Sequence, residues 1–436
     1  MLDLQQFYDA CDPTQPLRGK RYYIDFSTVR GGDIVQELER KIARLARNRP
    51  TTQLFTGHIG CGKSTELFRL QDALVRRSYE VVYFESDRDL EMADVEISDI
   101  LLSIAHNISE HLDKIGIATR PTYLQNLFQN LADTLRTPME ISDVSFSAGI
   151  ASITASAKQS PDMRSQLRQY LEPRTRSIIT AINDELLTPA NDRLQEQGKN
   201  RLVVIMDNLD RIDSAPRSQG RLQSEYIFVD RGEQLRQLDC HLVYTIPLEL
   251  MFSNDLVRLS NRFGTNPMVL PMVPVCDRKG NPDGPGMALL RQMVLIRAFP
   301  DLNVNQRIDA VGHVFDDIAT LDRLCQVSGG HMRNLIRLLD GCLRKQDPPF
   351  LRDTLEAVIR NERDSLMGLV SNHEWDLLLQ AVSRQDVQGD EDYNILVRSL
   401  FLYEYRDAQG RWFGLNPLLA ETDRYRSWLA QQPGHE

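Results

Sequence analysis

The chain has 436 residues, room for two or three domains of ordinary size. With 42% hydrophobic and 26% charged residues it has the make-up of a packed globular protein, which excludes a disordered or fibrous chain. A formal net charge of −10 argues against wholesale binding of polyanions, so any nucleic-acid surface has to be local.

The opening stretch MLDLQQFYDACDP lacks the basic-then-apolar pattern of a leader, and no run nears the ~18 apolar residues of a membrane span. A cytoplasmic location without membrane attachment is the expectation. Six cysteines, Cys11, Cys61, Cys240, Cys276, Cys325 and Cys342, are scattered without CxxC or Cys/His spacing. They read as reduced, packed thiols and support neither a zinc site nor a disulfide framework.

In chain order, a Pro-punctuated start leads into DIVQELERKIARLARN, where Ile34, Leu38, Ile42 and Leu45 share one helix face and Asp33 stands near its start. TQLFTGHIGCGKSTELFRLQDAL reads as strand, glycine-rich loop and helix. EVVYFESD is a second short strand, and a helical region runs from about 97 to 135. Between 139 and 160, Val144, Phe146, Ala148 and Ile150 alternate with Ser and Gly, and the phase slips at Ala151 before Ile153 and Ala155. That pattern predicts a hairpin or a bulged strand. A polar helical stretch over 163–197 precedes LVVIMDNLDRI, then come the strands HLVYTIP and NPMVLPMVPV and a Gly- and Pro-rich boundary, CDRKGNPDGPG. Residues 287–345 read as helix broken at Ser328. From 350 to 420 three helical patterns are followed by FLYEYRDAQGRWFGLNP, two strands around a turn at Asp407–Gly410. The tail QQPGHE reads as disordered.

GHIGCGKS fits G-x-x-x-x-G-K-[ST] with a strand before it and a helix after it. Gly57, His58, Ile59, Gly60, Cys61 and Gly62 form a loop whose N–H groups converge on phosphate oxygens at the positive end of a helix. Lys63 reaches the β- and γ-phosphates, Ser64 ligates Mg²⁺ and Thr65 adds a contact, so ATP and Mg²⁺ are the expected ligands. Cys61 reads as a tolerated small residue. The five apolar residues Leu202 to Met206 ending in Asp207 match the strand that holds Mg²⁺ through water in such ATPases. Asp210 is the first choice for activating water, because Asn208 cannot accept a proton. Thr245 ends the next strand, where ligands bind in open α/β sheets. Arg333 stands in the first turn of a helix, where a cation opposes the dipole and a phosphate would relieve the conflict.

These residues together resemble the AAA+ and STAND branch of P-loop ATPases, and more closely the prokaryotic ATPases grouped with origin-recognition initiators. The resemblance implies an α/β P-loop NTPase with a parallel β-sheet flanked by helices, a helical lid and a C-terminal winged helix. Its parts fall at 1–50 for the adenine-side linker, 51–276 for the core with an insertion around 97–200, 287–345 for the lid and 350–425 for the winged helix. It implies adenine contacts at Tyr23, Val29 and Arg30, a first sensor at Thr245 and a second at Arg333. Arg258 and Arg262 are candidates for an arginine supplied to a neighbouring subunit's nucleotide, with ordinary surface pairing as the alternative. The family pattern has glutamate where Asn208 stands, and the Asp-x-x-Asp form is closer to STAND switches than to motors.

The winged helix need not read DNA. Its recognition position opens on Asp390, Glu391 and Asp392, and residues 350–436 hold nine Arg, no Lys and fifteen Asp plus Glu. Arg406, Arg411, Arg424 and Arg426 are a candidate local patch. The expectation is a slowly hydrolysing, nucleotide-dependent conformational or oligomerisation switch. Self-association is expected, with a protein partner at the winged helix or at the 139–160 insertion. The alternatives are an ATP-controlled DNA-binding protein and a small-molecule kinase.

Overall fold

In the computed structural model, residues 2–14, 16–46, 49–119, 121–134, 146–213, 216–217, 220–387 and 391–431 are described. The chain forms two compact units. One takes Val35–Thr56 and Arg69–Val269, the other Met1–Ile34, Gly57–Phe68 and Leu270–Glu436.

The first unit is built on a sheet with strands β1 (Thr52–Gly57), β2 (Glu80–Glu85), β3 (Leu202–Asp207), β4 (His241–Thr245) and β5 (Met268–Leu270), in the order β2-β3-β4-β1-β5. Strands β2, β3, β4 and β1 pair in parallel. Continuous apolar runs such as LVVIM suit strands covered on both faces, and β1, β3 and β4 are buried at every residue. The parallel register sets Glu85 beside Asp207 and Phe55 beside Thr245, so the polar residues of β2, β3 and β4 end together. The helix Ile97–Lys114 covers the sheet with Ile100, Ile104, Ile108 and Leu112, a four-residue repeat that is fully buried. Its start is fixed by a capping box between Glu96 and Asp99.

Two sequence readings in this unit need correction. Residues Phe146–Gln159 are a helix, not a hairpin, and bury Ile150, Ile153 and Ala157 against the core. Spacings of three and four residues coexist with the period-two pattern there, because Ala, Gly and Ser fill the intervening positions without choosing a face. The part of that reading over 139–145 lies outside the described residues, as do Asp390 and the terminal residues 432–436. In the other case, Leu38 and Ile42 are buried as expected, but Leu45 is 70% exposed. The helix Ile34–Arg40 widens into a π-turn at Lys41–Leu45, and the extra residue per turn rotates Leu45 off the buried face.

The second unit joins the N-terminal segment, the glycine-rich loop and the C-terminal half. Helices Gly284–Ala298, Ile318–Ser328 and Met332–Leu343 enclose a core of Leu290, Val294, Leu321, Leu324, Leu335 and Leu339, with Phe7 of the first helix seated in it. Helices Arg352–Met367, Asn372–Arg384 and Glu391–Arg398 then precede an antiparallel hairpin of β6 (Leu402–Asp407) and β7 (Gly410–Leu415). Helix, helix, helix and hairpin is the order a winged helix requires.

Candidate functional site

In the second unit the loop 57–62 runs out of β1 and into the helix Lys63–Arg76. Gly57, Gly60 and Gly62 have φ of 153°, 88° and 105°, a backbone that residues with a side chain rarely adopt. At Gly60 space is also short, because a Cβ would stand 2.8 Å from His331 Cε1 and 2.9 Å from Arg333 Cβ. Lys63 Nζ donates to the carbonyls of Gly57 (2.8 Å) and His58 (3.0 Å), curling back over the loop it closes. Ser64 and Thr65 are half-buried in the first helical turn, where unpaired N–H groups favour anions.

The loop is fastened to the helices and the hairpin of its own unit. His331 caps its helix by accepting the Asn334 N–H on Nδ1 (3.0 Å), which leaves Nε2–H to donate to the Ile59 carbonyl (2.8 Å). The Arg333 N–H donates to the Gly60 carbonyl at 3.1 Å. His58 Nε2 accepts the N–H of Glu404 on β6 (2.9 Å), and Tyr403 stacks on His331 while meeting His58 edge-on. Both imidazoles are therefore neutral. Burial pushes His58 down to about 3 and His331 to about 4, with the Lys63 charge adding to both. Burial pushes the Glu404 carboxyl up to about 7, against the opposing pull of Arg411 and Arg406, and its Oε2 has no hydrogen-bond partner.

The expected adenine-side residues lie in this unit too. Tyr23 Oη donates to Glu66 (3.3 Å), and buried Arg30 donates to the Cys61 carbonyl (2.8 Å) across the Phe26 ring. Val29 is half-buried against the helical core. Cys61 is fully buried, in keeping with a packing role.

In the sheet unit the strand ends form a second cluster. Asp207 is 1% exposed, and its Oδ2 accepts from Tyr83 Oη (2.7 Å) while Oδ1 accepts the Asn208 N–H (2.7 Å). Asn208 is in the left-handed region, φ 63°, a conformation that asparagine tolerates best among residues with a side chain. Its Nδ2 donates to Asp87 Oδ1 (2.8 Å), and Arg211 donates to Asp87 Oδ2 (2.6 Å). Thr245 is fully buried, and its Oγ1 accepts the Leu209 N–H at 3.0 Å, so it braces the turn that carries Asp210, which is 8% exposed. Arg258 pairs with Asp255 (2.8 Å) and Asp230 (3.5 Å), and Arg262 with Glu233 (3.1 Å).

Ser64 and Asp207 offer hard oxygen donors of the kind that suits Mg²⁺, which keeps most of its shell for water and phosphate. Among the described residues no cluster of three or more His, Cys, Asp or Glu forms a separate metal cage. The sequence did not reveal Asp87, Tyr83, His331, Tyr403 or Glu404, since each reaches its partner over a long sequence separation. The HMR after SGG was the one local cue, and it pointed to Arg333 rather than to the histidine before it.

A parallel sheet, a glycine-rich loop between its first strand and a helix, and a carboxylate ending a neighbouring buried strand define a P-loop NTPase fold. No family model matches the sequence, and no curated protein matches it. Solved structures with a similar fold include a Walker-type ATPase of Pyrococcus abyssi, 12% identical with a TM-score of 0.46 over 94% of this chain and 98% of that one. The ORC2 protein of Aeropyrum pernix, solved as ADPNP–ADP complexes, is 11% identical with a TM-score of 0.42 over 98% of this chain and 99% of that one. Cdc6p of Pyrobaculum aerophilum is 13% identical with a TM-score of 0.37 over 94% of each chain. No helix among the described residues is long and apolar enough to cross a membrane.

Proposed function

We propose that the chain binds ATP with Mg²⁺, hydrolyses it slowly, and uses the nucleotide state to set the arrangement or assembly of its C-terminal half. The observation that carries this reading is the fastening of the phosphate loop. Ile59, Gly60 and His58 are each hydrogen-bonded to His331, Arg333 or Glu404, so a ligand that reshapes the loop acts directly on the helices and hairpin.

In this reading the loop N–H groups receive the phosphates, and Lys63 exchanges the Gly57 and His58 carbonyls for the β- and γ-phosphate oxygens. Ser64 and Asp207 each carry a hard oxygen that would suit Mg²⁺, and the ion would offset the charge of the phosphates. Water oxygen bonds to the γ-phosphorus as the bond to the bridging oxygen breaks. The electron pair leaves with ADP, and the water proton ends on the released phosphate. Arg333 meets the γ-phosphate, and Thr245 acts through the turn it braces. Tyr23, Val29 and Arg30 flank adenine. The ion pairs of Arg258 and Arg262 favour local bracing over service to a neighbouring subunit. Asn208 supports a slow tempo, because an amide takes up no proton.

The test is Mg·ATP binding and phosphate release by the parent chain and by Lys63→Ala, with size measured with and without nucleotide. Lys63→Ala is expected to lose binding at least about 100-fold, and the parent to turn over slowly and change size or shape with ATP. Equal binding and turnover in the two proteins would refute the assignment.

A further inference from the structure

We propose that Asp87 is the carboxylate that orients the attacking water, and that Asn208 presents it. The assignment rests on the ATPase reading of this chain and names the group that reading lacks.

The residue after Asp207 is Asn208, whose amide takes up no proton. Asp207 is itself engaged, with Tyr83 on one oxygen and the Asn208 N–H on the other. Asn208 has a left-handed backbone, and its Nδ2 meets Asp87, in the short helix Ser86–Asp89 after β2, at 2.8 Å. Arg211, from the same turn, takes the other oxygen at 2.6 Å. The stretch Asp207-Asn208-Leu209-Asp210-Arg211 thus spends two side chains on holding one carboxylate of the short helix Ser86–Asp89 that follows β2.

Asp87 lies two residues beyond the carboxyl end of β2, and β2 ends in register with Asp207. That is the edge at which ligands sit in an open parallel sheet. A carboxylate has about four acceptor positions, and among the described residues Asn208 and Arg211 occupy two of those of Asp87. The Asp87 side chain is 26% exposed, so water reaches it, whereas Asp210 is 8% exposed. Held between an amide and a guanidinium, Asp87 is suited to accept a hydrogen bond from water and align it, and the proton still ends on the released phosphate. The competing explanation is an ion pair that merely fixes the turn. It predicts altered stability with unaltered chemistry.

The experiment measures Mg·ATP affinity and single-turnover phosphate release for the parent, Asp87→Asn, Asn208→Asp and the exchange Asp87→Asn/Asn208→Asp. Asp87→Asn is expected to bind Mg·ATP within about threefold of the parent while hydrolysis falls about 100-fold, the scale of a lost water-activating group. The exchange, which restores one carboxylate within the same pair, is expected to regain at least about tenfold. Hydrolysis by Asp87→Asn within about twofold of the parent overturns the proposal, as does loss of turnover in Asp210→Asn alone. If Asp87→Asn does not fold, Asn208→Ala carries the test. It releases Asp87 without removing it, so turnover drops about tenfold with affinity unchanged, and parental turnover overturns the proposal. A parent chain that binds Mg·ATP and never releases phosphate overturns the ATPase reading and this assignment together.

Discussion

Glu404 and the two histidines near it pull the pH dependence of the second unit in opposite directions. The His58 and His331 values are depressed, to about 3 and about 4, so their contribution is complete above the ordinary histidine range and is lost as pH falls below it. Glu404 is raised to about 7 from an ordinary 4.5, so its contribution is complete below 4.5 and is lost as pH rises through 7. Between about pH 4.5 and 6.5 the two trends oppose each other, and the unit is expected to show a flattened stability profile. Glu404→Gln removes one arm. Relative to the parent it is expected to gain about 1–3 kcal/mol between pH 5 and pH 8, read by denaturant unfolding at each pH. A constant difference across that range would show that Glu404 ionises freely.

At the scale of elements, β6 works through alternate residues. Tyr403 and Tyr405 share one face: Tyr403 Oη accepts from Asn334 (2.8 Å), and Tyr405 Oη donates to the Gly329 carbonyl (2.8 Å) while its ring stacks on Trp412. Gly329 allows this close approach, since a Cβ there would fall 2.6 Å from Tyr403 Cε2. Tyr403→Phe is expected to cost about 1 kcal/mol and Tyr403→Ala about 3–5 kcal/mol in denaturant unfolding. The larger loss should be accompanied by weaker nucleotide binding if the hairpin supports the loop. The hairpin was legible in FLYEYRDAQGRWFGLNP because aromatic alternation around a turn is a local signal. The packing of Tyr403 on His331 was not, because it joins residues far apart in the chain. The same contrast separates the buried strands and the glycine-rich loop, readable from apolar runs and spacing, from helix Phe146–Gln159, where small residues satisfied two periodicities at once. It also explains why Asn208 raised a question that its sequence neighbours did not answer, since the carboxylate it holds comes from the short helix Ser86–Asp89, 121 residues earlier in the chain.

For the molecule as a whole, charge is the ground on which we favour a protein-directed over a DNA-directed reading of the C-terminal residues. Helix Glu391–Arg398 opens on acidic residues, and Asp392 lies 3.7 Å from His373. Of the candidate patch, Arg411 faces Asp386 at 3.6 Å and Arg424 faces Asp376 at 3.5 Å, so two of the four arginines have local counter-charges. Duplex DNA at low salt with Mg·ATP present is therefore expected to show no mobility shift with this chain. A shift that weakens steeply with added salt would favour the DNA-binding reading instead.

Strand β5 has only three residues, and proline follows at positions 271 and 274. The two N–H groups between those prolines are already committed, Met272 to the Glu404 carbonyl at 2.9 Å and Val273 to the Gly330 carbonyl at 3.5 Å. This stretch offers no row of donors on which another polypeptide can lay an extended segment. If copies of the chain assemble, strand addition onto residues 271–274 is therefore not the expected route, because the donors there already serve Glu404 and Gly330 of the same chain.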